Sequence, residues 1–236
     1  MSEPCWVGTS GYFYRGWKGV FYPEHLPLSR YFAYYQEHFD TVELNASFYR
    51  FPSPQSVRRW YREARDGFLY AVKAPREITH LKRFGDPSRL AEFYQVVSGL
   101  GEKLGAVLFQ LPPSFKKSPE HLDRLVSALD PAFRNAVEFR HPSWWSEEVR
   151  SALREAGVAF VSVSAPGLPE EFVDTAFPYL RFHGREAWYR YDYPEEELSH
   201  WARLARGRPL FAYFNNTDGG HAPKNALTFR RLACRR

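Results

Sequence analysis

Apolar stretches long enough for one β-strand recur along the chain at fairly even intervals. Short continuous apolar runs bounded by polar residues are typical of strands that are buried on both faces. Eight such runs are present, at residues 5–10, 41–47, 68–74, 106–111, 135–141, 159–165, 179–184 and 210–216. The pattern therefore predicts eight buried strands.

Between most of these strands the apolar positions recur at the spacing of a helix. One helix, for example, carries the stripe Leu122, Leu125, Val126 and Leu129. A capping side chain followed by proline marks where three helices begin, at Ser53, Asp86 and Ser118. Ser146 and Pro194 begin two more, and Gly157 closes the first of them. Residues 168–176 leave room for only a short or distorted helix.

Strands that alternate with helices pair in parallel through right-handed crossovers. Eight such units predict a single (β/α)8 TIM barrel, a closed parallel sheet with an irregular sixth unit. The rival is an open doubly wound sheet, but its glycine-rich phosphate-binding sequence follows none of the strands. Because no linker or shift in composition divides the chain, residues 1–236 are predicted to form one domain.

Polar residues interrupt the predicted strands at alternate positions. In strand five, Val137 and Phe139 are expected to face the helices, which turns Glu138 and Arg140 into the barrel. The same alternation turns further polar residues inward: Glu43, Asn45, Lys73, Gln110, Ser162, Ser164, Arg181 and His183. Asn215 and Asn216 close strand eight. They fall late in their strands, at the end where barrel active sites are built.

This cluster contains groups for proton transfer and for binding an anion. Glu43 and Glu138 are candidate catalytic acids or bases, with His183 or His141 as proton carrier. Arginine matches carboxylate and phosphate groups in a bidentate manner, so Lys73, Arg140 and Arg181 predict an anionic ligand. The other predicted substrate-binding residues are Ser10, Asn45, Tyr49, Gln110, His141, Trp144, Asn215 and Asn216. We therefore expect an enzyme acting on a small phosphorylated or carboxylated, sugar-like compound.

Other interpretations of the same cluster remain open. It could be a purely structural ion-pair network at the barrel end. Glu43, Glu138, His141 and His183 could bind a divalent metal ion, although the nearby cations oppose a dication and no metal-binding spacing is present. Lys73 could form a Schiff base. No cofactor is required by the sequence, and no metal site is predicted.

Composition adds a second functional hypothesis. Aromatic residues make up 18% of the chain and the net charge is +5, with four arginines among residues 230–236. These features allow a nucleic-acid partner, although a basic helix end equally complements the helix dipole. Aromatic residues in the exit loops could stack on sugars or bases: Tyr12, Tyr14, Trp17, Phe48, Tyr49, Trp144, Trp145, Trp188, Tyr189, Tyr191 and Tyr193.

The chain shows no signal for secretion or membrane insertion. No basic start precedes an apolar run, and no stretch approaches the ~20 apolar residues of a membrane span. We therefore predict a cytoplasmic protein without a membrane partner. Cys5 and Cys234 are far apart in sequence and suggest neither a disulfide framework nor a metal site, so both are predicted to be packing residues.

The first predicted strand ends in the sequence Gly8, Thr9, Ser10 and Gly11, and six aromatic residues follow between positions 12 and 22. Glycine permits close backbone approach and left-handed dihedral angles. Gly8 and Gly11 are therefore expected to shape the barrel mouth, and the aromatic residues to form a wall over the charged cluster.

These motifs resemble the YecE-like family, known as domain of unknown function seventy-two. The resemblance covers nearly the whole chain and runs through Gly8–Gly11 with Trp17, Glu43–Asn45 with Phe48–Arg50, Lys73 with Thr79–His80, Phe109–Pro113, Val137–His141 with Trp144, Arg181–Gly184 and Tyr213–Asn216. It implies a (β/α)8 barrel but no established reaction. It also implies a site at Glu43, Asn45, Glu138, Arg140, Arg181, His183 and Asn215. Xylose isomerases and endonuclease IV resemble this barrel at the fold level alone, and the histidines and aspartates of a trinuclear zinc site are missing.

Overall fold

The computed structural model describes residues 3–234, in which parallel strands alternate with helices. The strands are β1 Cys5–Thr9, β2 Thr41–Leu44, β3 Leu69–Lys73, β4 Leu104–Gln110, β5 Asn135–Glu138, β6 Ala159–Phe160, β7 Ser162–Ser164, β8 Tyr179–Phe182 and β9 Leu210–Phe214. The α-helices are α1 Tyr31–His38, α2 Ala46–Tyr49, α3 Pro54–Glu63, α4 Pro87–Val97, α5 Pro119–Ala128, α6 Glu147–Glu155, α7 Glu195–Ala205 and α8 His221–Ala233.

The strands form two parallel sheets. One has the order β2-β3-β4-β5-β6 and the other the order β1-β9-β8-β7. Val161 alone separates β6 from β7, so the sixth predicted strand contributes to both sheets. The predicted α/β fold with parallel strands is confirmed, whereas closure into one barrel stays a prediction.

Helices begin where the capping residues predicted them. The side chains of Ser53, Asp86, Ser118 and Ser146 each accept the backbone N–H three residues later, at the starts of α3, α4, α5 and α6. These bonds satisfy N–H groups that have no partner within the helix. Between β7 and β8, residues 165–178 form turns and bends without a helix, which confirms the irregular sixth unit.

Alternation along the strands divides their side chains between two cores. The outer core, where the helices pack, includes Val42, Val72, Phe109, Val137 and Leu180. The inner core lies between the sheets and consists of Ala71, Ala106, Leu108, Ala136, Ala159, Val161, Val163, Tyr179, Phe211 and Tyr213. The inward side of β2, β3, β4, β5, β8 and β9 is therefore the predicted one.

The predicted direction of Ser162 and Ser164 is wrong. Their neighbours Val161 and Val163 belong to the inner core, so the two serines face the other way. Ser162 Oγ donates to the carbonyl of Val173, and Ser164 Oγ donates to Glu170. The other strands face an apolar helix on this side. The irregular sixth unit has no helix there, and its loop instead offers the Val173 carbonyl and Glu170 as polar partners for the two serines.

Gly8 and Gly11 serve the predicted purpose. A Cβ atom on Gly8 would lie 2.3 Å from the carbonyl oxygen of Thr41, so only glycine lets β1 approach β2 this closely. Gly11 has φ +82°, in the left-handed region that favours glycine. Its backbone N–H donates to the carbonyl of Glu43 at 2.8 Å, which joins the exit of β1 to β2.

The ends of the described chain meet, which contradicts the prediction that Cys5 and Cys234 only pack. Cys5 begins β1 and Cys234 follows α8, their Cα atoms are 5.6 Å apart, and the two residues form a disulfide. The two cysteines are 229 residues apart in sequence, so no local pattern indicated the pair. They meet because α8 packs against β1. The bond closes nearly the whole chain into a loop.

The arginine-rich tail is engaged with the fold as far as it is described. Arg230 donates to the carbonyl of His38, and Arg231 forms an ion pair with Glu195 at 2.8 Å. Arg235 and Arg236 lie outside the described residues. Over residues 3–234, no helix combines the length and the apolar character that crossing a bilayer requires.

We predict that Cys5→Ser lowers the free energy of unfolding under non-reducing conditions by about 2–5 kcal/mol, because a disulfide restricts the unfolded chain. Thermal denaturation with and without reductant measures this effect. Reductant should lower the melting temperature of the unsubstituted protein and leave that of the variant unchanged. Two free thiols in the unsubstituted, non-reduced protein would contradict the prediction.

Candidate functional site

One arginine links two buried carboxylates at the centre of the candidate site. Arg181 in β8 donates from Nη2 to Glu43 Oε1 at 2.6 Å and from Nη1 to Glu138 Oε2 at 2.5 Å. Glu43 lies in β2 and Glu138 ends β5, and none of the three side chains is more than 1% exposed. Charges this deeply buried are tolerated only when they are paired, so each group depends on the other two.

Neutral polar groups complete the partners of Glu43. Ser10, directly after β1, donates its hydroxyl to Glu43 and accepts from Arg181 Nη2 at 3.0 Å. Asn45 Nδ2 donates to the same hydroxyl oxygen at 3.1 Å, and Tyr179 donates to Glu43 Oε2 at 2.8 Å. Sequence reasoning missed Tyr179, although its position two residues before Arg181 gives it the same inward direction.

Arg140, His183 and Asn215 extend the cluster on the side of Glu138. Arg140 pairs with Glu138 through Nε, and its Nη2 lies 3.1 Å from His183 Nε2. The amide nitrogen of Asn215 lies 3.0 Å from His183 Nδ1. The guanidinium carbon of Arg140 also lies 4.6 Å from the ring centroid of Trp188, a cation–π contact at the edge of the cluster.

Burial and neighbouring charges together decide the protonation states of Glu138 and His183. Burial raises the pKa of Glu138, but the positive charges of Arg140 and Arg181 outweigh it and hold that pKa well below its usual range. Burial and the charge of Arg140 lower the pKa of His183 to about 3. At neutral pH Glu138 is therefore ionised and His183 is uncharged.

Lys73 ends β3 and is not part of the ion-pair network. The residue is only 8% exposed, and its Nζ lies 3.9 Å from the ring centroid of Phe48. Its ammonium group makes no hydrogen bond or ion pair with residues 3–234, although its backbone carbonyl accepts from the Ser47 hydroxyl at 2.7 Å. Burial, followed by the charge of Arg181, lowers its pKa to about 7.

Gln110 and Asn216 lie beside the cluster but bond elsewhere. Gln110 ends β4, and its amide nitrogen donates to the carbonyl of Leu111 at 2.8 Å. Asn216 is buried, and its amide nitrogen donates to the carbonyl of Tyr191 and to Asn225. Asn216 therefore holds the loop after β8 against α8, a structural task.

Three other predicted site residues do not join the charged cluster. His141 is bonded through Nδ1 to Ser143 and caps a short helical turn, and Tyr49 is 76% exposed. Trp144 is fully buried and donates its indole N–H to the carbonyl of Phe115. Trp144 stacks on Phe139 in the outer core. Its polar neighbours in sequence therefore did not indicate its buried, apolar surroundings.

The aromatic residues after β1 mostly pack and do not form the expected wall. Trp17 and Tyr22 are fully buried, and Tyr22 stacks on Tyr31 of α1 with ring centroids 3.9 Å apart. Tyr14 is the member nearest to the site, since its hydroxyl donates to the carbonyl of Ser10 at 2.6 Å. The aromatic sequence therefore serves mainly to attach α1 to the exit of β1.

The four groups considered for a metal ion are arranged differently from a ligand set. In the described part of the chain, no three or more His, Cys, Asp or Glu side chains are grouped to hold a metal ion. The guanidinium of Arg181 occupies the space between Glu43 and Glu138, where a shared cation would lie. His141 is turned toward Ser143.

Parallel strands, helices on their outer side and a charged cluster at the carboxyl ends of the strands define an α/β protein with a candidate active site. The model described as "Protein of unknown function DUF72" matches residues 6–236, and the chain belongs to this family. The resemblance to YecE-like proteins is thus confirmed.

Several relatives share this fold or sequence. UPF0759 protein YunF of Bacillus subtilis (strain 168) is 27% identical over 96% of this chain and 94% of its own length. UPF0759 protein YecE of Escherichia coli (strain K12) is 34% identical over 48% of this chain and 42% of its own. A crystal structure of a DUF72 family protein from Thermotoga maritima has a TM-score of 0.86 at 35% identity, covering 99% of this chain and 100% of that one.

Removing the central cation should unfold the protein more readily. We predict that Arg181→Met lowers the free energy of unfolding by about 3–5 kcal/mol, because Glu43 and Glu138 are left buried without it. Urea denaturation measures the change. Arg134→Met, at an exposed arginine directly before β5, is the control and should change stability by less than about 0.5 kcal/mol. Equal stabilities for the two variants would contradict the proposed dependence.

Acid should destabilise the protein through His183. Since the pKa of this histidine falls from 6.5 to about 3 on folding, the unfolded chain alone binds its proton between these values. Stability should therefore decrease as pH falls below about 6.5, by up to ~1.4 kcal/mol per pH unit from this residue. Urea denaturation of the unsubstituted protein and His183→Gln, between pH 7 and 5, should give a shallower decrease for the variant. Parallel decreases would show that His183 does not titrate on unfolding.

Proposed function

We propose that the two sheets close into a (β/α)8 barrel with the charged cluster at its C-terminal mouth. Two sets of contacts between the sheets support this. Ser10 and Glu43 form a parallel bridge between the exit of β1 and β2. On the other side, the Val161 N–H donates to the Val137 carbonyl at 2.9 Å, which continues the pairing of β5 and β6 up to β7. In such barrels the C-terminal face holds the active site.

We propose further that the protein is an enzyme acting on a small anionic ligand at this mouth. The charge balance carries the proposal. Glu43 and Glu138 are neutralised by Arg181 and Arg140, so Lys73 has no counter-ion among the described residues. An anionic group that enters beside Lys73 and the partly exposed Arg140 would supply the missing charge.

The positive potential extends from Lys73 along the loop after β3. His80 in that loop has its pKa lowered to about 4 by burial and by the charges of Lys73, Arg76, Arg140 and Arg83. Burial is the largest cause of this shift, and the four cations near the imidazole ring lower the pKa further. A phosphate or carboxylate group is the ligand chemistry that this surplus favours.

The carboxylates suit positioning better than proton donation. Glu138 is ionised at neutral pH and holds both Arg140 and Arg181, so it orients the cations and cannot act as an acid there. Glu43 is enclosed by Ser10, Tyr179 and Arg181. We therefore assign Glu43 and Glu138 to orienting the binding groups, and the neutral His183 remains the candidate for proton transfer within this network.

Phosphate or sulfate should bind at this mouth. In isothermal titration calorimetry at low ionic strength, we expect saturable phosphate binding that Lys73→Met and Arg140→Met each weaken by at least about tenfold, about 1.4 kcal/mol. Lost charge attraction at the mouth is the reason. Bound phosphate should also raise the melting temperature, because it binds only the folded protein.

Lys116→Met is the matched control, since Lys116 is an exposed lysine in the loop after β4. Its affinity for phosphate should equal that of the unsubstituted protein. If phosphate does not bind, or if all three substitutions weaken binding equally, the anion is not recognised by Lys73 and Arg140 and the proposal fails.

A further inference from the structure

Lys73 differs from the other buried lysine of the described chain in having no partner. Lys103 is 6% exposed, and its Nζ donates to the carbonyls of Tyr61 and Ala64 at 2.9 and 2.7 Å. Those bonds satisfy a buried ammonium group and explain it as structural. Lys73, equally buried, has the face of Phe48 as its neighbour and no acceptor among residues 3–234.

The surroundings of Lys73 favour the uncharged amine. The carboxylates nearest to it are held by Arg181 and Arg140, and these arginines repel a further positive charge. Its pKa of about 7 leaves much of the group unprotonated at neutral pH. An unprotonated lysine amine near cationic groups is the usual form of a lysine nucleophile.

A second titratable group borders the same aromatic ring. The ring centroid of His80 lies 5.0 Å from that of Phe48, and His80 Nδ1 lies 2.9 Å from Thr79 Oγ1. His80 is half-buried and uncharged at neutral pH, so it can pass a proton between solvent and the space beside Phe48. Lys73 and His80 thus both border the ring of Phe48, the lysine as the candidate nucleophile and the histidine as the candidate proton carrier.

From this arrangement we propose that Lys73 forms a Schiff base with a small aldehyde or ketone that carries a phosphate or carboxylate group. This inference rests on the proposed function, since Arg140 and the surrounding cations would hold the anionic group. It adds the substrate class, a carbonyl compound, and the residue that reacts with it.

The reaction is balanced without an oxidant or a second substrate. The lone pair of Lys73 Nζ forms a bond with the carbonyl carbon, and the C=O π electrons move to oxygen, which takes a proton. Nitrogen releases a proton to His80, and the hydroxyl group then leaves as water after protonation. In the net reaction, an amine, a carbonyl group and one proton are converted to a protonated imine and one water molecule.

Reductive trapping tests the proposal. The full chain is incubated with glycolaldehyde phosphate and sodium cyanoborohydride, which converts an imine to a stable secondary amine, and the modified peptide is identified by mass spectrometry. We expect one adduct per chain at Lys73, formed at least about tenfold faster than at Lys116 because more of its amine is unprotonated. The rate should rise with pH through about 7.

Two conservative variants separate the amine from its charge. Lys73→Arg keeps the positive charge and should lose the adduct, whereas Lys116→Arg should retain it. Adducts distributed over exposed lysines, or an unchanged rate for Lys73→Arg, would overturn the proposal.

Unphosphorylated glycolaldehyde distinguishes this inference from the function on which it rests. Fast adduct formation at Lys73 with both aldehydes, together with no phosphate binding, would support the imine and overturn the anionic ligand. Phosphate binding that depends on Lys73, with no adduct from either aldehyde, would retain the anion site and overturn the imine.

Discussion

The rest of the site depends on the two ion pairs that Arg181 forms with Glu43 and Glu138. Arg181 belongs to the sheet that contains β1, whereas Glu43 and Glu138 belong to the other sheet, so one buried guanidinium joins the two. A charge at this depth loses its hydration and must recover it through several short polar contacts. The hydroxyl of Ser10 and the phenol of Tyr179 supply such contacts to Glu43. Gly8 lets β1 approach β2 closely enough for Ser10 to contact Glu43.

The same network directs reactivity toward the open side of the mouth. Because the carboxylates and guanidiniums neutralise one another, they leave no acceptor for Lys73, whose side chain is largely buried beside Phe48. Lys103 shows that this chain does satisfy a buried lysine with carbonyl oxygens where its task is structural. A lysine without a partner beside a network of paired charges is typical of a position that binds or reacts.

Prediction from the sequence succeeded where the cause is local and failed where it is not. Ser53, Asp86 and Ser118 cap their helices because a capping side chain acts within three residues of itself. Trp144 stands in a polar stretch, yet it packs on Phe139 in the outer core, since the short helical turn after His141 redirects the chain. Ser162 and Ser164 face opposite to their predicted side because the missing sixth helix changes which side of the strand is polar.

By itself the sequence determined the strands, most helix starts and most of the polar residues on the inward side, because backbone alternation and capping act over a few residues. It also determined membership of the DUF72 family, through motifs present on nearly every strand. Only the tertiary structure decided the partners: Arg181 between two carboxylates, Cys5 bonded to Cys234, and Lys73 left without an acceptor. The physical reason is that pairing and desolvation depend on distances between strands remote in sequence, which no local pattern encodes.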